Sequence, residues 1–394
     1  AIDSRQRPMW PSRLNVGTTI ENSGESASTG PHHRFDPKTE GHDVAGYIRV
    51  VTALSCHPVR EGRLLTSVLM SGPDYALTSD DETDKLPPIL VVGGTGHVGA
   101  SLCNFLLERG HSVTAANRST RPVCGSPAIR RTQLDVTDQA DTSSLVQSET
   151  AVICPWVVDS YEAEPPWIGN LVERLADAGT NSVVYFSTMW VYGASAEGLL
   201  TESTPTAPDS PYPTAHLRNE SVLADCAQDL ELDVSILRMA NLVGPDPFYR
   251  SRSKISFAHE LVEMAVRDKV ILLRSPPSTP RNILTRTLLH HDLAVLLDRT
   301  AVEGRVEIFN MGGGTTTTMA GLARQVAEMV ERYDGVPVRV EHPNEMIAQP
   351  TFHLDTTRIR TLAGTGIDSL AAEMELVMAD IVHSHIPVDR TRKS

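Results

Sequence analysis

From residue 88 onward, short apolar runs alternate with stretches whose apolar residues recur every three or four positions, which reads as strands and helices in turn. Strands are expected at 88–92, 112–116, 129–134, 151–154, 182–187 and 233–238, and helices at 100–110, 167–178 and 212–229. Such an alternation implies a parallel sheet with helices on both faces. After Gly244-Pro245 the pattern loosens. A helix at 257–267, a strand at 270–273, a helix at 292–300, a strand at 306–309 and a helix at 319–332 suggest a smaller C-terminal α/β lobe.

Residues 1–87 differ in kind. Ser, Thr, Gly, Pro and charge dominate them, so the N-terminal extension is expected to be poorly ordered, with ordered pieces at 44–54 and 63–70 and an acidic linker at 79–84. The division expected from this is an extension at 1–87, a nucleotide-binding domain at 88–245 and a substrate lobe at 246–394.

Charge and cysteine content narrow the classes. Over 394 residues, 35 basic and 49 acidic side chains leave a net charge of −14, which disfavours phosphate polymers and anionic membrane surfaces as partners. The basic end at 389–394 reads as a solvated tail. Five cysteines, at 56, 103, 124, 154 and 226, show neither CxxC pairs nor metal-ligand spacing, which argues against zinc and a disulfide framework and fits a reducing cytoplasm. No run has the length or apolarity of a membrane span or of a signal peptide.

The strongest motif joins the first strand to the first helix: Gly93-Gly94-Thr95-Gly96-His97-Val98-Gly99. Glycines at 93, 96 and 99 allow a sharp turn, close approach of backbone to a pyrophosphate, and tight packing of helix on strand. The phosphates would sit on the open N–H groups and positive dipole end of that helix. A dinucleotide is therefore expected against Gly93, Thr95, Gly96, His97, Val98 and Gly99. At the end of the second strand, an acidic residue would take the ribose hydroxyls and an arginine would pair with a 2′-phosphate. Asn117 stands in that slot with Arg118 beside it and Arg121 near, which favours NADP(H) over NAD(H).

Further motifs follow in order: Phe186-Ser187-Thr188-Met189-Trp190-Val191-Tyr192-Gly193, Ser210-Pro211-Tyr212, Leu237-Arg238-Met239-Ala240-Asn241-Leu242-Val243-Gly244-Pro245, His291-Asp292-Leu293-Ala294 and Phe309-Asn310-Met311-Gly312-Gly313-Gly314. With the glycine loop, these resemble the extended short-chain dehydrogenase/reductase family, in its sugar-nucleotide epimerase and dehydratase branch, over about residues 88–365. The resemblance implies a Rossmann-type doubly wound sheet with a C-terminal substrate lobe, a nucleotide-sugar substrate and a homodimer through a helix bundle. It places Asp135 and Val136 against the adenine, Thr188 beside the reacting oxygen and Tyr212 as the acid/base. Asn241 falls near the nucleotide-sugar phosphates, and Arg281 or Arg286 near the diphosphate, with spacing that matches neither arginine cleanly.

One position departs from the family. A lysine four residues after the tyrosine would lower the phenol's pKa, which a phenol of pKa near 10 needs for work at neutral pH. Here that position is His216, expected to contact the nicotinamide ribose or relay a proton. Met189 and Trp190 replace the Asp-Glu pair of the dehydratases, which leaves epimerisation, reduction or oxidation. Trp156, Tyr161, Trp167 and Trp190 are candidates to line the substrate pocket, and Arg250, Arg252 and Lys254 to meet an anionic substrate. The alternative is a non-catalytic NADP(H)-binding regulator that has lost the catalytic lysine.

Overall fold

The computed structural model describes residues 86–118, 126–136, 145, 147–155, 167–246, 256–314, 316–342 and 351–383. The expected ordered pieces at 44–54 and 63–70, with Arg121, Trp156, Tyr161, Arg250, Arg252 and Lys254, lie outside the described residues.

A seven-stranded parallel sheet forms the main layer. Its strands are β1 (Ile89–Val92), β2 (Val113–Asn117), β3 (Arg130–Gln133), β4 (Thr150–Ile153), β5 (Ser182–Thr188), β7 (Asp233–Met239) and β11 (Val306–Met311). Between β5 and β7 in sequence comes the short strand β6 (Gly198–Leu200). The spatial order is β11-β7-β5-β4-β1-β2-β3, so the chain reverses direction between β1 and β4. In a doubly wound sheet, a crevice opens at the carboxyl ends of the two strands flanking that reversal.

Alternate residues of each strand serve the two faces. Ile89, Val91, Val113 and Ala115 pack on one face with α1 (His97–Glu108) and α5 (Arg286–Leu297). Leu90, Val92, Ala151 and Ile153 pack on the other with α2 (Trp167–Asp177) and α3 (Pro211–Asp229). Strands buried on both faces read as unbroken apolar runs, which is why β1 and β4 stand out in the sequence. α3 starts where Ser210 is the N-cap and Pro211 occupies the first turn, a position where the missing proline N–H costs no hydrogen bond.

A second apolar cluster joins α4 (Phe257–Asp268), α6 (Met319–Asp334) and α8 (Leu370–His383) with β9 (Val270–Leu272) and β13 (Arg339–Glu341). A small sheet of β12 (Thr316–Thr318), β10 (Pro280–Thr285) and β8 (Asn241–Val243) lies between the parts in sequence, and β14 (Phe352–Leu354) pairs with β6. α7 (Thr357–Ala363) contributes Ile359 to the core of the main sheet.

Two expectations need correction. The helix placed at 292–300 runs from Arg286 to Leu297, because the Thr285 side chain accepts a hydrogen bond from Leu288 N and caps the helix earlier. The strand placed in the C-terminal lobe at 306–309 is β11, which pairs in register with β7 as the edge of the main sheet. Its apolar residues Phe309 and Met311 belong to the same core as β1.

Candidate active site

The glycine loop spans the reversal point. Gly93 follows β1 with φ of 80°, and a Cβ there would lie 2.2 Å from the carbonyl oxygen of Cys154, just past β4. A Cβ on Gly99 would lie 2.3 Å from Gly93 O, so the helix could not approach the strand end with any larger residue. Gly96 is different: its Cβ would meet one atom, Gly93 O at 3.1 Å, and otherwise open space. Gly96 is also the N-cap of α1, with no side-chain capping bond and no acidic residue in the first turn. The result is a backbone cradle whose open N–H groups suit a pyrophosphate.

Neighbouring side chains hold this cradle. Asn117 Oδ1 accepts hydrogen bonds from Thr95 N at 2.8 Å and from Thr95 Oγ1 at 3.0 Å. Asn117 thus anchors the loop to the end of β2, where it sits beside the exposed Arg118. His97 begins α1 but turns its ring towards the other half of the chain. Its Nδ1 lies 3.0 Å from Asp246 Oδ2 and its Nε2 3.2 Å from Arg286 Nη2. Burial lowers the His97 pKa, against the pull of Asp246, so the ring donates from Nδ1 and accepts from Arg286 at Nε2. Val98 packs at the edge of the sheet core, and Asp135 and Val136 follow β3.

Thr188 ends β5, the strand beside β4. It caps a short 3-10 turn at Met189–Tyr192, its Oγ1 accepting from Trp190 N at 3.3 Å. Tyr212, in the first turn of α3, brings its hydroxyl up to Thr188, whose side chain pulls the phenol's pKa down. The residue is 41% exposed, so it sits at the mouth of the site. Burial of the phenol raises its pKa, and the Thr188 contact only partly offsets this. The sequence therefore brought together two distant residues that meet in space.

His216 lies one turn further along α3, with its ring centroid 4.7 Å from that of Tyr212 in an edge-on arrangement. It is almost fully buried, and burial drives its pKa down to about 4. Its Nδ1 lies 2.9 Å from the Tyr185 hydroxyl, which accepts from Asn219 Nδ2 at 3.0 Å. Its Nε2 is buried with no hydrogen-bond partner among the described residues. An orphaned nitrogen one turn from the candidate acid/base is what a missing ribose hydroxyl would satisfy. The residues present fit a nicotinamide dinucleotide on both counts, the open cradle and the orphaned nitrogen.

Beneath these groups lies a buried ion pair that sequence reading missed. Glu220, one turn past His216, pairs with Arg238 of β7 at 2.7 Å and accepts from Ser187 Oγ at 2.5 Å. Arg238 Nη1 also donates to the Tyr192 hydroxyl at 3.1 Å, which in turn donates to Asn310 Oδ1 at 2.6 Å. This network ties α3, β5, β7 and β11 together under the Met189–Tyr192 turn.

The expected substrate residues separate. Arg281 lines a cleft of about 250 Å³ with Phe257, Leu261, Leu272, Arg274 and Met319. Arg274 pairs with Glu260 at 2.9 Å, whereas Arg281 has no acidic partner among the described residues. Arg286 is buried against His97, and a Cβ on Gly244 would lie 2.5 Å from its own Cβ, so it is fixed in the frame. Asn241 donates to Asn282 O at 3.0 Å, joining β8 to β10. Trp167 is buried in the core between the sheet and α2, which removes it from any pocket. Trp190 stacks edge-on against Phe352 at 6.0 Å.

Comparisons with known proteins agree with this fold. The family described as the NAD dependent epimerase/dehydratase family matches residues 89–163 and 167–275. The UDP-glucose 4-epimerase of Azospirillum brasilense is 27% identical over 282 residues, covering 63% of this chain and 79% of that protein. UDP-arabinose 4-epimerase 1 of Arabidopsis thaliana is 22% identical over 313 residues, covering 69% and 73%. Among solved structures, a UDP-glucose 4-epimerase of Thermotoga maritima with UDP-glucose superposes with a TM-score of 0.63 at 20% identity, over 75% of this chain and 99% of that one. A Bacillus cereus UDP-glucuronic acid 4-epimerase in complex with NAD gives a TM-score of 0.61 at 20% identity, with the same coverage. Among the described residues no helix is long and apolar enough to cross a membrane.

Proposed function

We propose that this chain, whose residues 89–163 and 167–275 match the NAD dependent epimerase/dehydratase family, inverts a carbinol carbon of a UDP-linked sugar, as a nucleotide-sugar 4-epimerase. The observation that carries this reading is the approach of the Tyr212 hydroxyl to Thr188 at the carboxyl end of β5. That pairing supports a proton carrier and an orienting hydroxyl acting together beside the strand-reversal crevice. A regulator would have no use for that pair, and nothing in the site favours one.

The glycine cradle from Gly93 to Gly99 would hold the dinucleotide, with Asn117 and Arg118 at its adenosine end and His216 at its ribose. When bound, the nicotinamide supplies hydride acceptance and return at the sugar carbon. Tyr212 removes the proton from the sugar hydroxyl and later restores it. Thr188 fixes the orientation of the same oxygen. Inversion requires the sugar ring to present its second face between the two steps, so its anchor must lie away from the reacting carbon. Arg281 lines the cleft of α4 and β9 with Arg274 and Glu260, and, having no carboxylate partner of its own among the described residues, suits the diphosphate in that role.

The finer points of the reading are proposals of the same kind. Neutral Asn117 and exposed Arg118 support NADP(H) over NAD(H). A homodimer through a helix bundle, as the family resemblance implies, belongs to the same reading. A cytoplasmic location suits Cys103, Cys154 and Cys226, which form no disulfide among the described residues.

The test is direct. The purified protein is titrated with NADPH and NADH by fluorescence, then loaded and incubated with UDP-galactose or UDP-arabinose, and the products are resolved by chromatography. Interconversion of 4-epimers, with NADPH bound more tightly and Arg118→Ala weakening NADPH alone, is the expected outcome. A loaded protein that converts none of the UDP-sugars overturns the epimerase reading, and tighter NADH binding overturns the cofactor preference.

A further inference from the structure

Asn117 ends β2, where a doubly wound fold places the group that meets the adenosine ribose, and its side chain is held in one orientation. Strand alternation brings it there. A Cβ on Gly94 would lie 2.7 Å from Ala115 Cβ, so the glycine loop rests on the face of β2 that Ala115 and Asn117 share. Thr95 N then donates to Asn117 Oδ1 at 2.8 Å. A backbone N–H cannot accept, so the oxygen is the atom that faces the loop and the amide cannot be turned over. Thr95 Oγ1 donates to the same oxygen at 3.0 Å, which fills both its lone pairs. The main-chain carbonyl of Asn117 accepts from Leu134 N at 2.8 Å. Both oxygens of Asn117 are therefore engaged within the fold. Its Nδ2 points away from Thr95 and has no hydrogen-bond partner among the described residues.

We propose that Asn117 is a specificity-determining residue for the cofactor: its locked amide presents only a donor to the adenosine 2′ position. That donor meets the oxygens of a 2′-phosphate, which are all acceptors, and leaves a 2′-hydroxyl without an acceptor for its own proton. The contact rests on the dinucleotide binding and NADP(H) preference proposed above, and the orientation of the amide does not. An acidic residue in this slot works the other way, accepting from the ribose hydroxyls. Its inner oxygen would hold Thr95 as Asn117 Oδ1 does, and its outer oxygen would stand where Nδ2 stands. The two cofactors are thus told apart by one atom, nitrogen against oxygen, on a side chain that otherwise serves the loop in the same way. Arg118 is next in sequence and exposed, and it adds positive charge at the same strand end. Charge draws a phosphate towards that end, and the amide donor fixes which atom is accepted at the 2′ position. Loop and selectivity form one unit, because the Thr95 bonds that hold the loop also aim Nδ2.

The experiment exchanges that one atom in the full chain. Dissociation constants of NADPH and NADH are measured by fluorescence titration for wild type, Asn117→Asp, Asn117→Ala and Arg118→Ala, with adenosine 2′,5′-bisphosphate and AMP competing as probes of the adenosine end. Asn117→Asp keeps the oxygen that Thr95 donates to. It is expected to weaken NADPH about ten- to a hundredfold, to tighten NADH several-fold, and to reverse the order of the two adenosine probes. Asn117→Ala loses the loop anchor and is expected to weaken both dinucleotides. Loss of NADPH affinity in Asn117→Asp with no gain for NADH means that the carboxylate only repels the phosphate from a distance, and overturns the contact. A ratio unchanged in Asn117→Asp but collapsed in Arg118→Ala also overturns it, because charge then selects alone. Wild type that binds NADH more tightly, with Asn117→Asp moving the ratio further towards NADH, overturns the preference proposed above and leaves the role of the amide standing. Binding of neither dinucleotide by wild type that melts cooperatively overturns both.

Discussion

The glycine loop and the first turns of α3 both serve the carboxyl ends of the central strands, yet they are built from opposite materials. The loop works through backbone. Gly93 and Gly99 are needed because any Cβ would strike a carbonyl oxygen, whereas a Cβ on Gly96 would meet Gly93 O alone, at 3.1 Å. The α3 turns work through side chains, Tyr212 and His216, on a helix any good sequence could form. Backbone sites tolerate little and are written in glycine; side-chain sites tolerate exchange with a change of chemistry. His216, at the position where the family resemblance implies a lysine, lies in the second kind of region.

The contrast is broken most easily at Tyr212. Tyr212→Phe removes the proposed proton carrier and keeps the ring, so kcat is expected to fall about 10²–10⁴-fold with dinucleotide affinity unchanged. Steady-state kinetics beside a fluorescence titration measure both. Equal losses of binding and rate would mean that the α3 turn shapes the cradle after all.

His216 offers the next largest effect, through acid stability. The unfolded ring titrates near 6.5, and burial holds the folded ring near 4. Above pH 6.5 both states are neutral and the group adds no pH dependence. Below it the unfolded chain takes up a proton that the folded chain refuses, so stability falls as pH drops towards 4, by about 3 kcal/mol. His290, held near 3 by burial and by Arg286, acts in the same sense. Urea unfolding from pH 7 to pH 4 should therefore be less steeply pH-dependent in His216→Asn, with the His290 part remaining. An unchanged profile would show that His216 is charged in the folded protein.

The same contrast explains what the sequence disclosed. Backbone requirements are local, and a strand, a glycine triplet and a helix follow one another within residues 88–110, so the cradle and the sheet around it were legible. Thr188 and Tyr212 were legible because each sits in a short motif of its own. Tyr185, Asn219, Glu220 and Arg238 were not, since their partners come from other elements. A signal did exist: His216, Asn219, Glu220 and Leu223 recur at helical spacing and form the buried stripe of α3. Polar residues on an inward stripe must be paired by something, and β5 supplies Tyr185 and Ser187 two residues apart on the same face. The choice between Arg281 and Arg286 was likewise undecidable from spacing, because it turns on which guanidinium His97 and Gly244 enclose.

A Cβ added to the loop sharpens the backbone side of the comparison. Gly99→Ala must push α1 away from Gly93 O, a strain on the order of 1–3 kcal/mol. Dinucleotide affinity is expected to drop about ten- to a hundredfold, with Tyr212 ionisation unaffected. Alanine accepted at full affinity would mean that the helix is not held against the strand end.

The smallest effect expected is at Arg281, and it tests whether substrate binding follows the side-chain rule. The guanidinium is half-buried, burial pulls its pKa down, and no carboxylate among the described residues neutralises it. A diphosphate in the cleft would supply the missing counter-charge in a setting partly screened by solvent. Arg281→Ala should raise KM for a UDP-sugar roughly tenfold, equivalent to about 1.4 kcal/mol, and leave dinucleotide affinity and thermal stability in place. Arg286→Ala is the control, because Arg286 braces His97 and packs on Gly244. Its loss should lower stability before it alters KM, and the reverse pattern would exchange the roles of the two arginines.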